Sequence, residues 1–160
     1  QKQIKDLVVV SPDVGGIKMA RAYAKRLNAG LAIVDKRRFS PEKTEVMNIL
    51  GDVKDKNVVL VDDIIATAGS LIEAIEALKS FGVKGVYALA SHGVLSGPAV
   101  ERIAKCSALL EVIITNSIPL KNAETCSKIK TLSVAPLLAE AIARTHNAES
   151  ISSLFDEIRN

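Results

Sequence analysis

The chain alternates short, unbroken apolar runs with amphipathic stretches. Leu7–Val10, Leu31–Val34, Val58–Val61, Val86–Leu89 and Val112–Ile114 are rich in β-branched residues and lack in–out alternation. That pattern predicts strands covered on both faces. Thr131–Val134 is a weaker run of the same kind. Between the runs, apolar residues recur at helical spacing: Ile17, Ala20, Ala24 and Leu27; then Leu71, Ile72, Ile75 and Leu78, closed by Gly82; then Val100, Ile103 and Ala104; and last Leu137, Leu138, Ala141 and Ile142. Strand–helix alternation predicts an α/β fold, an open parallel sheet of about five strands with helices on both faces. The stretch from Lys36 to Asn57 breaks the pattern: it is polar and basic, then carries Val46–Leu50. We read Val46–Leu50 as a strand, part of a loop or hairpin inserted after the second parallel strand.

Composition narrows the picture. The 160 residues suffice for one domain; 48% are hydrophobic and 24% charged, which excludes a disordered chain. Aromatic residues are 3% with no Trp, so the core must be aliphatic. No apolar run is long enough to span a membrane and no signal-peptide pattern opens the chain, so neither a membrane nor secretion is expected. Cys106 and Cys126 make no disulfide framework, which fits a reducing, cytoplasmic setting. The net charge of +3, without aromatic stacking platforms, is too mild to argue for nucleic acid. The chain opens at Gln1 and enters an apolar strand by Leu7, which reads as a cut end.

Unusual residues collect where predicted strands end. SPDVGG (Ser11–Gly16), DKRRFSP (Asp35–Pro41), DDIIATAGS (Asp62–Ser70), SHGVLSG (Ser91–Gly97) and TNSIP (Thr115–Pro119) each follow an apolar run. Open parallel sheets bind ligands at that edge. In DDIIATAGS, a buried strand delivers Asp62 and Asp63 to a tight turn and a helix beginning near Gly69–Ser70. Backbone amides from Ala66 through Thr67, Ala68 and Gly69 to Ser70 can turn onto a phosphate, aided by the positive helix end. The two acids suit the hydroxyls of a cis-diol, so a sugar phosphate satisfies both halves. The competing reading is an ordinary turn with Thr67 or Ser70 as N-cap. In SPDVGG, the Gly15–Gly16 amides could hold a pyrophosphate, with a cation such as Mg²⁺ bridging it to Asp13; the same residues also spell a Pro-Asp turn capping a helix. Lys36, Arg37 and Arg38 are expected on a loop at the same mouth, where cations stabilise a transferred phosphoryl group. A solvated basic turn is the alternative. His92 is read as a structural hydrogen-bonder, His146 as the cap of a helix ending at Arg144–Thr145, and the cysteines as no metal site.

At DDIIATAGS the sequence resembles the sugar-phosphate loop of the type I phosphoribosyltransferase fold. SPDVGG, DKRR, GDVKDKNVVLVDDIIATAGS, SHGVLSGPAVERI and LLAEAIARTHNAESISSLF, in that order, are similar to the ribose-phosphate pyrophosphokinase (phosphoribosyl pyrophosphate synthetase) family over nearly the whole chain. The resemblance implies transfer of the β,γ-pyrophosphoryl group of Mg-ATP to the anomeric hydroxyl of ribose 5-phosphate, releasing AMP. Carried over by position, Ala66, Thr67, Ala68, Gly69 and Ser70 would hold the 5-phosphate, and Asp62 and Asp63 the ribose hydroxyls, directly or through Mg²⁺. Asp13, Val14, Gly15 and Gly16 would contact the pyrophosphate, Asp13 also helping to bind Mg²⁺. Lys36 and Arg38 would be catalytic, stabilising the transition state. Ser150, Ser152 and Phe155 match part of the family's phosphate/ADP regulatory site between subunits.

Two departures stand out. The family usually has an acid where Ala66 stands and often Thr where Ser70 stands. The family is also a tandem of two similar α/β domains assembled into dimers and hexamers, and this chain matches the second. The resemblance therefore implies a ribose-5-phosphate-binding domain over residues 1–147 and a tail, 148–160, packed on an absent N-terminal domain. The fragment alone is expected to be inactive or nearly so. A phosphoribosyltransferase and a non-catalytic regulatory homologue are the competing readings; Ala66 keeps the second alive, and Lys36 and Arg38 argue against it.

Overall fold

The structure is a computed structural model, and it describes residues 4–37, 46–120 and 126–156. The elements run β1 (Leu7–Ser11), α1 (Ile17–Leu27), β2 (Gly30–Arg37), β3 (Val46–Leu50), β4 (Asn57–Ile65), α2 (Gly69–Ser80), β5 (Gly85–Gly93), α3 (Ala99–Lys105), β6 (Leu109–Thr115), β7 (Ile129–Leu132), α4 (Ala135–His146) and α5 (Ser153–Asp156). They build one sheet in the order β3-β2-β1-β4-β5-β6-β7. All neighbours are parallel except β2 and β3, which pair antiparallel from Ile33↔Leu50 to Arg37↔Val46.

The described sheet thus has seven strands where about five are expected from the apolar runs. Val46–Leu50 is the returning arm of a hairpin, as the sequence suggests. The last strand lies two residues earlier than Thr131–Val134. Ile129 is half-buried and the rest of β7 is exposed, so this edge strand lacks the apolar signature of a central one. Val134 instead becomes the N-cap of α4. That helix also runs to His146, one residue past the expected end, so Asn147 and not His146 is its C-cap.

Burial follows the pleat. Val8 and Val10 point to one face of the sheet and Val9 to the other, and all three are buried. Val9, Val59 and Val61 pack with Ala20 and Ala24 of α1. The opposite face packs Val58, Leu60, Val86, Val112 and Ile114 against Ala74, Ile75 and Leu78 of α2 and Ile103 of α3. Each such large aliphatic side chain contributes about 1.5–3 kcal/mol on burial. The chain moves one way across the sheet from β1 to β2 and the other way from β4 to β5. Right-handed crossovers therefore put α1 and α2 on opposite faces. The strand order reverses between β1 and β4, and a crevice opens there beyond their carboxyl ends. Gly82, at φ +79°, ends α2 in a left-handed turn, its N–H donating to Lys79 O at 3.0 Å.

Candidate functional site

A cavity of about 440 Å³ occupies that crevice. Pro12 and Asp13 line it from the β1–α1 turn, Asp62–Ile65 from β4, and Ala66–Leu71 with Glu73 and Ala74 from the turn and first half of α2. The structure therefore brings Asp13, Asp62, Asp63 and the whole Ala66–Ser70 turn around one space.

The acids sit differently from the sequence expectation. β4 continues to Ile65, so Asp62 and Asp63 lie within its last residues and not at its end. Asp62 still pairs with Ala90, and Ile64 with His92. Burial first, and then the neighbouring Asp63 and Asp13 charges, raise the Asp62 carboxyl above its ordinary pKa. The Asp63 backbone N–H donates to Asp62 Oδ1 at 2.9 Å and partly offsets that rise.

Ala66, Thr67 and Ser70 are exposed, while Ala68 is buried in the core. Ala68 is the N-cap of α2 in a left-handed conformation, φ +58°, and no side chain caps the helix. Neither Thr67 nor Ser70 plays the capping part that the plain-turn reading assigns them. The first amides of a helix have no intrahelical partner, so this turn keeps donors for an anion. Glu73, one turn into α2, also lines the cavity; its place on the helix face gave no signal in the sequence.

The β1–α1 turn is more self-contained. Buried Ser11 donates through Oγ to Asp13 O at 2.6 Å, and Gly16 N donates to Asp13 Oδ1 at 2.8 Å. The Asp13 carboxylate thus closes a turn onto the amide of Gly16, the N-cap of α1, and no side chain caps that helix. Val14 is exposed. Gly16 is sterically required here, because a Cβ on it would lie 2.7 Å from Ser11 Oγ.

Lys36 and Arg37 belong to strand β2, paired with Met47 and Val46 of β3, not to a loop. Their backbone continues the carboxyl end of β2 beside the cavity, and Arg38 lies outside the described residues. The hairpin partner explains the difference: β3 supplies hydrogen bonds that extend a polar segment as strand. Ser150, Ser152 and Phe155 do not line the cavity. All three are exposed: Ser150 and Ser152 in a turn that Ser152 N closes on Ser150 Oγ at 3.2 Å, and Phe155 in α5 just beyond it. Arg144 of α4 ties that turn down through Ser150 O and Ser153 Oγ. His92 makes a side-chain hydrogen bond, Nδ1 to Ser117 Oγ at 2.9 Å. Cys106 and Cys126 are free thiols.

Among the described residues no three His, Cys, Asp or Glu side chains converge to hold a metal by themselves. The donor set does fit Mg²⁺, a hard cation bound through one or two carboxylates and completed by substrate oxygens. One or two of Asp13, Asp62 and Asp63 could supply those carboxylates at the cavity wall.

The family model of the phosphoribosyl synthetase-associated domain matches residues 36–156. A ribose-phosphate pyrophosphokinase of Caldanaerobacter subterraneus subsp. tengcongensis is 57% identical over 150 residues, covering 94% of this chain and 47% of that protein. The crystal structure of phosphoribosylpyrophosphate synthetase from Mycobacterium smegmatis matches with a TM-score of 0.82 at 39% identity, over 89% of this chain and 46% of that one. Orotate phosphoribosyltransferase from Aeropyrum pernix shares the fold, with a TM-score of 0.53 at 23% identity over 85% of this chain and 64% of that one. The chain spans about half the length of the curated relatives it matches.

Proposed function

The chain belongs to the phosphoribosyl synthetase-associated domain family, and on that premise we propose that it is the ribose-5-phosphate-binding half of a ribose-phosphate pyrophosphokinase. One observation carries the reading: a single cavity joins an anion-ready helix start, free of side-chain caps, to the Asp62–Asp63 pair and Asp13. A sugar phosphate spans those two chemistries at once.

In this reading the amides of Ala66–Ser70 and the hydroxyls of Thr67 and Ser70 bind the 5-phosphate. Asp62 and Asp63 accept hydrogen bonds from the ribose hydroxyls and orient the anomeric carbon. The anomeric oxygen attacks the β-phosphorus of ATP, the bond from that phosphorus to the α–β bridging oxygen breaks, and AMP departs while the hydroxyl proton is lost. Lys36 and Arg38 offset charge on the transferred group. Val14–Gly16 contact the pyrophosphate, which requires Gly16 N to exchange its Asp13 partner for a phosphate oxygen. Mg²⁺, when bound, neutralises charge between the carboxylates and the pyrophosphate.

Residues 1–147 form the sugar-phosphate domain, and the 148–160 tail packs on a second domain. None of the residues of α4 is buried, and Leu137, Leu138 and Ile142 are exposed there, as is Phe155 beyond it. That apolar surface supports a covering partner. Ser150, Ser152 and Phe155 contribute to a phosphate or ADP regulatory site in a homo-oligomer. No described helix is long and apolar enough to cross a membrane, and a cytoplasmic location with neither membrane nor nucleic acid as partner suits this chemistry.

Titrating the 160-residue chain with ribose 5-phosphate, read by amide chemical shifts, tests the site. Shifts confined to Ala66–Ser70 and Asp62–Asp63 are expected, and no perturbation in that turn would overturn the assignment. The chain alone should form no AMP from ATP and ribose 5-phosphate; a measurable rate would refute its incompleteness.

A further inference from the structure

The turn that lines the cavity is held from behind by the neighbouring β5–α3 unit. Val94 N and Leu95 N both donate to Ile65 O, at 3.0 and 3.1 Å. Ser96 N donates to Ala66 O at 3.0 Å, and Arg102 Nη1 of α3 donates to Thr67 O at 2.9 Å. Three successive carbonyls are therefore drawn to one side. A trans peptide is planar, with its C=O and N–H opposed. The N–H groups of Ala66, Thr67 and Ala68 consequently turn the other way. The cavity lies on that side: its lining includes Ala66–Ser70 and none of Val94–Ser96 or Arg102.

Three of these bonds come from backbone amides, and the Arg102 guanidinium is the side-chain donor among them. It acts on the most demanding peptide. Ala68 sits at φ +58° without being Gly, a conformation that costs about 1–2 kcal/mol. Such a residue persists only where its surroundings over-determine it. Burial of the Ala68 side chain fixes one flank, and Arg102 fixes the Thr67–Ala68 peptide on the other. Without that donor, the peptide could rotate its carbonyl into the cavity, where the oxygen would repel an anion.

We infer that Arg102 is a positioning residue for the anion site: it holds Thr67 O outward so that the Ala68 N–H is preset for the 5-phosphate. This inference rests on the sugar-phosphate reading of the cavity, and the test separates the two. The 160-residue chain and its R102A and R102K variants are titrated with ribose 5-phosphate and, separately, inorganic phosphate, following the Ala68 amide resonance. Arg102→Ala should weaken both ligands by about 5- to 10-fold, as loss of one ordinary hydrogen bond implies, and shift the free-state Ala68 amide signal. Arg102→Lys, which keeps a cationic donor, should recover most of the affinity. Failure of the unsubstituted chain to bind either ligand overturns the sugar-phosphate reading itself. Binding by the unsubstituted chain with equal affinity in R102A overturns the role of Arg102 alone. A loss in R102A that comes with resonance changes throughout the sheet, and no recovery in R102K, also overturns it, because Arg102 would then serve the fold only.

Discussion

The backbone N–H of Asp63 donates to Oδ1 of Asp62 at 2.9 Å, so the second acid of the pair anchors the first through its main chain. The carboxylate of Asp62 is half-buried beside two other negative charges and held above its normal pKa of 3.8. Its charged form opposes folding of the empty chain.

Asp62→Asn should therefore raise the Tm of the ligand-free chain at pH 7 by about 1–2 °C. The sign follows from linkage. Between 3.8 and its raised folded value, Asp62 holds its proton more tightly in the native state, so stability falls as pH rises through that window. The D62N advantage should shrink as pH is lowered towards 4. Calorimetry of both proteins at pH 7 and pH 4 checks this, and ribose 5-phosphate affinity in D62N should fall at least about tenfold. A D62N protein less stable than the parent at pH 7 would contradict the account.

Gly16→Ala places a methyl 2.7 Å from the Oγ of fully buried Ser11. The hydroxyl must move, which breaks its bond to Asp13 O. Destabilisation of about 1–3 kcal/mol is expected, with displaced Asp13 resonances. Urea unfolding measures it, and an unchanged midpoint would contradict the packing described.

Lys128 donates through Nζ to the carbonyls of Ile103, Ala104 and Cys106 at 3.4, 3.1 and 2.6 Å, closing the end of α3. Lys128→Met keeps the stem and removes the donor. A stability loss of about 1–2 kcal/mol is expected, with faster amide exchange in α3. Should α3 exchange stay at the parent rate, the cap would be idle.

Ala66→Asp adds an acid at a position that lines the cavity with Asp13, Asp62 and Asp63. The added charge should push the Asp62 carboxyl further up and tighten Mg²⁺ in the presence of ribose 5-phosphate. Carboxyl titration by NMR and calorimetric Mg²⁺ binding read the two effects. Equal Mg²⁺ affinity in A66D and the parent would show that position 66 lies out of reach of the metal.

Ile142→Ser on α4 removes an apolar side chain that is 69% exposed. The isolated chain should keep its stability within about 0.5 kcal/mol. In a full-length protein with a covering domain the same change should cost more. Equal, negligible losses in both would remove the case for a partner on this face.

Central strands were legible in the sequence because burial on both faces demands unbroken apolar runs, and Val8–Val10 and Val58–Val61 meet that demand directly. The edge strand β7 and the outer halves of β2 and β4 carry polar residues, since their ends reach solvent or the cavity. Local pattern could not separate those segments from loops. DDIIATAGS disclosed its chemistry because the acids, small residues and hydroxyls are contiguous in the chain. Arg102 and Glu73 gave no such signal: Glu73 faces the cavity only through the turn of α2, and Arg102 reaches the back of the Thr67 peptide from α3.

The sequence alone determined the α/β alternation, the aliphatic core and the place of the Ala66–Ser70 turn, all consequences of short-range periodicity and backbone chemistry. The tertiary structure decided the rest. Pairing of β1 with β4 brought Asp13 of β1–α1 to the Asp62–Asp63 pair across 49 positions of chain. Packing of α3 beside α2 brought a guanidinium behind Thr67. Neither proximity is encoded in neighbouring residues, because each depends on which strands pair and which faces the helices cover.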